Sequence, residues 1–160
     1  MIRELGRPGD LGWVIQAHGE VYAEEYGFDG RFEALVARIV ADYAAGHDTG
    51  RENAWIAEVD GRRAGCVFCV DAGEGEGDTA VLRVLLVTPA GRGLGLGGAL
   101  VDTCLAFARK AGYRRMRLWT TDPLVAARHI YLSRGFALVE SAPHDGFGVS
   151  LVGQTYALDL

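Results

Sequence analysis

This chain lacks the features that mark several broad classes of protein. No apolar run reaches the ~20 residues needed to cross a bilayer, and Met1-Ile2-Arg3-Glu4-Leu5 has no signal-peptide core. Those absences lead to the expectation of a cytoplasmic location and no membrane partner. A basic excess is also missing: 16 Lys and Arg stand against 21 Asp and Glu, a formal net charge of −5. General nucleic-acid binders carry a basic patch, so no nucleic-acid partner is expected. Cysteine is scarce, with 3 in 160 residues. Cys66 and Cys69 have the C-x-x-C spacing, but residues 64–70 read as a strand, where side chains three apart face opposite sides. No second Cys/His pair completes a zinc site. All three cysteines, Cys104 included, therefore read as buried small hydrophobes, and no metal is expected. The length suits one domain over residues 1–160, with no linker or internal repeat.

What is present is an alternation of strand and helix patterns. Residues 2–5 read as a short strand. Asp10 is placed to cap a helix carrying Leu11, Val14, Ile15, Val21 and Tyr22. Phe32, Leu35, Val36, Ile39, Val40 and Tyr43 recur at helical spacing, and turn residues at 46–50 end that helix. Residues 54–59, an Asp60-Gly61 turn, residues 64–70, an acidic loop at 72–78 and a strand from Thr79 to Val87 form a meander. Leu96, Leu100, Cys104, Phe107 and Ala111 stripe the next helix, which Gly112 ends. Residues 115–120 read as a strand. Asp122 and Pro123 open a helix containing Tyr131, in the favoured cap-then-proline order. Strands at 136–140 and 151–160 close the chain around a loop at 141–148. The order is β-α-α-β-β-β-α-β-α-β-β.

The most informative stretch is Arg92-Gly93-Leu94-Gly95-Leu96-Gly97-Gly98, where the strand ending at Val87 runs into a glycine-rich turn and then a helix. Glycines let the backbone take positive φ and approach a ligand closely, and the free N–H groups of a helix N-terminus suit a phosphate. The spelling GxGxxG matches a dinucleotide fingerprint, which would make the protein a nicotinamide-binding oxidoreductase. That fold needs repeated βαβ units after the fingerprint, and only one strand–helix pair follows. A Walker loop is excluded, because no Gly-Lys-Ser/Thr occurs.

The segment from Val87 through Thr88, Pro89, Ala90, Gly91 and Arg92 to Leu100 resembles the acetyl-CoA-binding motif of the GNAT family of N-acetyltransferases, Val-x-Pro-x-x-Arg-Gly-x-Gly-Leu/Ile-Gly-x-x-Leu, at every fixed position. Ala127-Arg128-His129-Ile130-Tyr131-Leu132-Ser133-Arg134-Gly135-Phe136 resembles that family's later Ala-x-x-x-Tyr-x-x-x-Gly-Phe block. Within the family the chain is similar to the acetyltransferase half of MarR–GNAT fusion proteins, through residues 22–28, 118–120 and 151–156; no winged-helix half is present, so no DNA-binding role carries over. The resemblance implies an α/β (α+β) fold: a mixed, mostly antiparallel sheet, splayed near its centre and flanked by about four helices. It also implies an acetyl-CoA-dependent N-acetyltransferase without a metal, acting on a primary amine of a small molecule or peptide by direct attack in a ternary complex. Members of the family often form dimers, so a homodimer is among its implications. The alternative is a non-catalytic acyl-CoA-binding sensor.

Carried over residue by residue, the resemblance gives the pyrophosphate to the N–H groups around Gly93, Leu94, Gly95, Leu96, Gly97 and Gly98, with Arg92 adding charge. The pantetheine arm goes to the backbone of the Leu85-Leu86-Val87 segment, alongside Ala127. Tyr131, which shares a helix face with Leu124 and Ala127, becomes the general acid that protonates the leaving thiolate. The other reading of Tyr131 is a core tyrosine with a satisfied hydroxyl. Many relatives carry Asn where Leu124 stands; Thr121 or Asp122 could substitute. Relatives often place Glu on the strand before the turn, whereas this strand offers Arg83 and no acid. Glu24, Glu25, Asp29, His144 and Asp145 are the base candidates, and none is assigned. Trp55, Trp119, Tyr22 and Tyr26 suit an acceptor pocket or the core. Acidic residues near Glu24 lean towards a cationic acceptor.

Overall fold

The computed structural model describes all 160 residues. Its elements are β1 (Ile2–Glu4), α1 (Asp10–Tyr26), α2 (Gly30–Gly46), β2 (Asn53–Val59), β3 (Arg62–Asp71), β4 (Thr79–Val87), α3 (Leu96–Lys110), β5 (Arg115–Thr121), α4 (Val125–Ser133), β6 (Ala137–His144) and β7 (Leu151–Asp159). A short 3-10 turn, Pro89–Gly91, leads out of β4. One seven-stranded sheet has the order β1-β2-β3-β4-β5-β7-β6. Every neighbouring pair is antiparallel except β4 and β5. The expected element order and mixed sheet are what the chain adopts. No helix is long and apolar enough to cross a membrane.

The alternation of side chains along the strands builds two cores. Val14, Val36, Val40 and Tyr43 of α1 and α2 pack on Ile56, Cys66, Phe68 and Leu86. On the opposite face, Leu100, Val101, Cys104 and Leu105 of α3 and Tyr131 of α4 pack on Val67, Cys69, Leu82, Met116 and Leu118. Cys66 and Cys69 thus belong to opposite cores, as their spacing on a strand requires. All three thiols are buried and unbridged, and burial raises the pKa of Cys66 and Cys104.

The parallel pair holds the key irregularity. β4 and β5 are paired only at Thr79–Arg115, Ala80–Met116 and Val81–Arg117, and beyond Val81 they diverge. On its other edge β4 shifts register against β3, where Cys66 faces Leu86 but Phe68 faces Arg83. The extra residue makes a bulge, which bends its strand. Val84 sits in the bulge at φ 48, a conformation that costs a β-branched residue about 1–3 kcal/mol. The Cys66 thiol donates to the Val84 carbonyl at 3.2 Å.

Three local expectations are corrected. Asp10 does not cap α1. Gly9, at φ 88, precedes the helix, and Asp10 lies in the first turn with its side chain fully buried. Its carboxylate instead accepts from the Gly6 and Arg7 backbones and from the guanidinium groups of Arg3 and Arg63, at 2.8–2.9 Å. Asp122 and Pro123 do not start α4, which begins at Val125 behind Leu124. The Asp122 carboxylate accepts from the Val152 N–H at 2.8 Å and fixes the start of β7. Finally, β6 continues through residues 141–144, paired with Leu151 to Gln154. Pro143 is tolerated there because β6 is the sheet edge, where no neighbour needs its missing N–H.

Bonding to Arg3, with further bonds from Gly6, Arg63 and Arg7, holds the Asp10 carboxyl far below the usual carboxylate range despite its burial. Replacing it leaves Arg3, whose side chain is only 11% exposed, with Glu58 as its one remaining carboxylate, and leaves Arg63 with none. Asp10→Asn is expected to lower the free energy of unfolding at pH 7 by about 3 kcal/mol, read by urea denaturation. The folded pKa lies below the unfolded one, so the contribution is complete above pH ~4 and drains away as pH falls towards the folded value. The gap between wild type and variant should close in acid; a gap independent of pH would show that the charge is not responsible.

Candidate active site

After β4 the chain makes the Pro89–Gly91 turn and enters α3 through two left-handed glycines, Gly93 at φ 80 and Gly95 at φ 74. Gly95 is the residue just before α3, and it offers no side-chain cap. The backbone N–H groups of Gly93, Leu94, Gly95, Leu96, Gly97 and Gly98 donate to no protein acceptor; the first such bond is Ala99 N–H to Gly95 at 3.1 Å. The result is a continuous cradle of donors at the positive end of a helix dipole, a preformed anion site. A Cβ on Gly97 would come within 2.7 Å of Ile130 Cδ1, and one on Gly98 within 2.6 Å of the Arg134 guanidinium. These glycines therefore let α3 start hard against α4. Arg92, at the cradle's rim, is held by Glu25 of α1 through two bonds of 2.5 and 2.9 Å.

The divergence of β4 and β5 opens two adjoining cavities. One, of about 570 Å³, is lined by the cradle, by Leu85 and Val87 of β4, and by Ala127, Ile130 and Arg134. The other, of about 600 Å³, lies between β4 and β5 and is walled by α1, α2, α4 and the segment between β6 and β7. Tyr22, Leu85, Leu124 and Ala127 line both. Thr88 N–H bonds to Ala64 on β3. By the alternation of an antiparallel ladder, Leu86 also turns its main chain to β3, while Leu85 and Val87 present theirs to the gap. The Leu85 carbonyl accepts from the Tyr22 hydroxyl at 3.3 Å.

The second cavity gathers every buried side-chain polar atom of the protein that lacks a partner: His18 Nε2, Thr121 Oγ1 and His144 Nε2. His18 Nδ1 lies 2.7 Å from the Val14 carbonyl. A carbonyl only accepts, so Nδ1 carries the proton in that bond; Nε2 makes no hydrogen bond of normal geometry, and the Val84 carbonyl lies close to the ring. Burial pushes the His18 pKa down to about 4, keeping the ring neutral. His144 is wedged edge-on against Trp119 and Phe147, with ring centroids 5.1 and 4.6 Å apart. Trp119 lies over Gly153, where a Cβ would meet the indole at 2.9 Å. Phe28 and Phe147 join the α1–α2 turn to the segment after β6, and Asp29 N–H donates to the Phe147 carbonyl at 2.9 Å. Two guanidinium groups, Arg83 and Arg117, and no carboxylate complete the lining.

Measured against the sequence expectations, Leu85, Val87, Arg92, Gly93, Gly95, Leu96, Gly97, Gly98 and Ala127 surround the first cavity. Leu86 borders it but buries its side chain in the α1/α2 core. Leu94 is exposed and lines neither cavity. Tyr131 lines the second cavity; the residue is largely buried, but its hydroxyl opens on the cavity and has no protein partner, unlike that of a satisfied core tyrosine. Burial raises its pKa, so the phenol stays protonated. Of the base candidates, Glu25 is spent on Arg92 and Asp29 on Arg31, while Glu24 and Asp145 line neither cavity. His144 alone reaches the second cavity. Beside Leu124, Thr121 faces the cavity and Asp122 does not. Trp55 is core, packed on Phe107, whereas Trp119 and Tyr22 are cavity walls and Tyr26 borders the cradle side. Sequence reasoning missed His18. The available signal was a polar residue four places after Val14, on the buried stripe of α1.

Residues 15–136 match the acetyltransferase (GNAT) family. An uncharacterised N-acetyltransferase of Schizosaccharomyces pombe is 32% identical over 127 residues, 78% of this chain and 75% of the relative. Among solved structures, YncA of Salmonella typhimurium, determined with its cofactor acetyl-CoA, superposes with a TM-score of 0.78 at 20% identity, covering 100% of this chain and 93% of that one. Ribosomal-protein-alanine N-acetyltransferase from Brucella melitensis gives 0.79 at 17% identity, covering 100% and 99%. The chain belongs to the GNAT acetyltransferase family, and its fold is the GNAT fold. A mixed sheet with a single parallel pair is not the repeated βαβ fold that a dinucleotide fingerprint requires.

Proposed function

We propose that this member of the GNAT family transfers the acetyl group of acetyl-CoA to a primary amine by direct attack in a ternary complex. The observation that carries the reading is the run of unpaired N–H donors at residues 93–98, opening on the same strand divergence as an unpartnered tyrosine hydroxyl. The donor's pyrophosphate suits the cradle, and its pantetheine arm suits the free main-chain edge of Leu85 and Val87. Thr121 stands where it can bond a ligand that Leu124 cannot. When bound, the thioester supplies an activated acyl carbon.

The chain's own residues then have three tasks. The cavity between β4 and β5 holds the amine against that carbon, and positioning of this kind accounts for much of the rate of a two-substrate reaction. His144 Nε2 accepts the proton that the amine nitrogen sheds as its bond to the acyl carbon forms. Tyr131 gives its phenolic proton to the departing sulfur as the carbon–sulfur bond breaks, so that CoA leaves as the thiol. His18, with a depressed pKa, is a weaker base and serves as a fixed hydrogen-bond acceptor.

Calorimetric titration should give saturable binding of acetyl-CoA and none of NADH. Gly95→Val forces a branched side chain into left-handed backbone; it should abolish that binding in a protein that still folds by circular dichroism. No binding to the wild type would remove the basis for this reading. Binding without turnover on a broad amine panel would leave an acyl-CoA sensor.

Tyr131→Phe should reduce kcat about 10²-fold or more with acetyl-CoA affinity nearly unchanged; wild-type turnover would return the residue to a packing role. His144→Gln should lower kcat by a similar order without weakening acetyl-CoA, whereas an effect confined to acetyl-CoA affinity would remove His144 as the base.

A further inference from the structure

The geometry points to an acceptor that carries an anionic group on an apolar body, a carboxylate of the amino-acid kind, held by Arg83; this rests on the acyl-transfer reading above and names its second substrate. Four arginines line the two cavities, and three are already engaged. Arg92 is bound to Glu25, Arg134 to Asp102 and Arg117 to Glu76. Arg83 alone has neither an ion pair nor a hydrogen bond.

The sheet itself aims that charge. Arg83 is paired with Phe68, which lies in the α1/α2 core, so Arg83 is on that face. Val81, two residues earlier on the same face, is the last β4 residue paired with β5, and its partner is Arg117. Both guanidinium groups therefore flank the point where the strands separate. Desolvation and the neighbouring Arg117 charge lower the pKa of Arg83, with Asp42 the only carboxylate acting to restore it. Arg83 stays open to solvent at the cavity wall, and its guanidinium is the one cation there left free to take an anion in the bidentate manner of arginine.

Most of the rest of the wall is apolar or aromatic, including Phe32, Leu35, Ile39, Trp119 and Phe147; its other polar groups are two histidines and three threonines, and it contains no Asp or Glu. A polycationic amine such as a polyamine would face two guanidinium groups with no carboxylate to bind it. This reverses the cationic lean read from the residues around Glu24. A positive wall also favours the neutral form of a bound amine over the ammonium, and the neutral form is the nucleophile. His18 Nε2 and Thr121 Oγ1, both buried and without partners, can bond the amine end of the same ligand.

Matched acceptors test this directly: phenylalanine, leucine and methionine, each against its carboxamide, with spermidine as the cationic comparison. The amide amine is the less basic, so intrinsic reactivity favours the amides. A carboxylate preference must therefore come from binding. The expected result is a kcat/KM higher for the carboxylate by on the order of 10- to 100-fold, reduced towards unity in Arg83→Gln, mainly through KM. Preference for the amides or for spermidine overturns the proposal, as does a preference that survives in Arg83→Gln. Should no acceptor turn over, calorimetry with the N-acetyl carboxylates and N-acetyl carboxamides reads the same discrimination. Equal or absent affinity overturns it; tighter carboxylate binding lost in Arg83→Gln supports it. Arg83 does not line the cradle, so acetyl-CoA titration reports separately on the acyl-transfer reading.

Discussion

β4 and β5 share three residue pairs and then part, and both cavities exist because there are no more. Strand edges inside a sheet normally satisfy each other's backbone groups, and an unmet buried group costs about 1–3 kcal/mol. Here the interruption is built in on one side. The bulge at Val84 bends β4, and β5 is held away by seven register pairs with β7. The strained φ of Val84 belongs to that arrangement, and the Cys66 thiol, kept protonated by burial, donates to the carbonyl of the strained residue. The opened edge is then met piecemeal: the Tyr22 hydroxyl takes the Leu85 carbonyl, and Tyr22 stacks on Phe32 at 4.8 Å. Packing of α1 thus reaches the divergence through Tyr22 and His18.

The same divergence separates two kinds of chemistry. On the cradle side, the surface is a run of main-chain donors, and what matters about residues 93–98 is the conformation they permit. On the other side, the wall is made of side chains from α1, α2, β4, β5 and the residues after β6. A substitution there changes the shape and charge of a wall without altering the path of the backbone through the cradle. In the proposed reading, donor recognition is therefore tied to the fold, while acceptor recognition is free to vary on the same scaffold.

Much of this was legible in the chain. Thr79 to Val87 was read with the bounds the structure gives β4, and the glycine run marked the cradle, because positive φ and a helix start leave strong local signals. What escaped was non-local. Asp10 has the chemistry of a cap, but its partners are the side chains of Arg3 and Arg63, the latter 53 residues away. Asp122 is spelled like a helix start yet serves Val152 on another strand. Residues 141–148 read as one loop, yet 141–144 extend β6, and the edge position of β6 makes Pro143 compatible with a strand. The bulge was invisible for the opposite reason: valine is among the residues least suited to positive φ, so nothing in its identity announces the conformation.

Arg83 shows why charge placement needs the structure even when the residue is conspicuous. From sequence it was a departure, an arginine on the strand where relatives of the family often carry an acid, and it counted as a missing base. In the fold it is the one cavity arginine without a carboxylate, on the strand face that looks into the larger cavity, two residues past the last pairing with β5. Its position is fixed by strand register, so only the side chain's own torsions are left to adjust to a ligand. Its guanidinium is exposed and lies free of any carboxylate of the cavity wall. In the proposed reading, an arginine at this point of β4 offers an anion site where an acid would offer a proton acceptor, and the amine's proton then falls to His144 on the opposite wall.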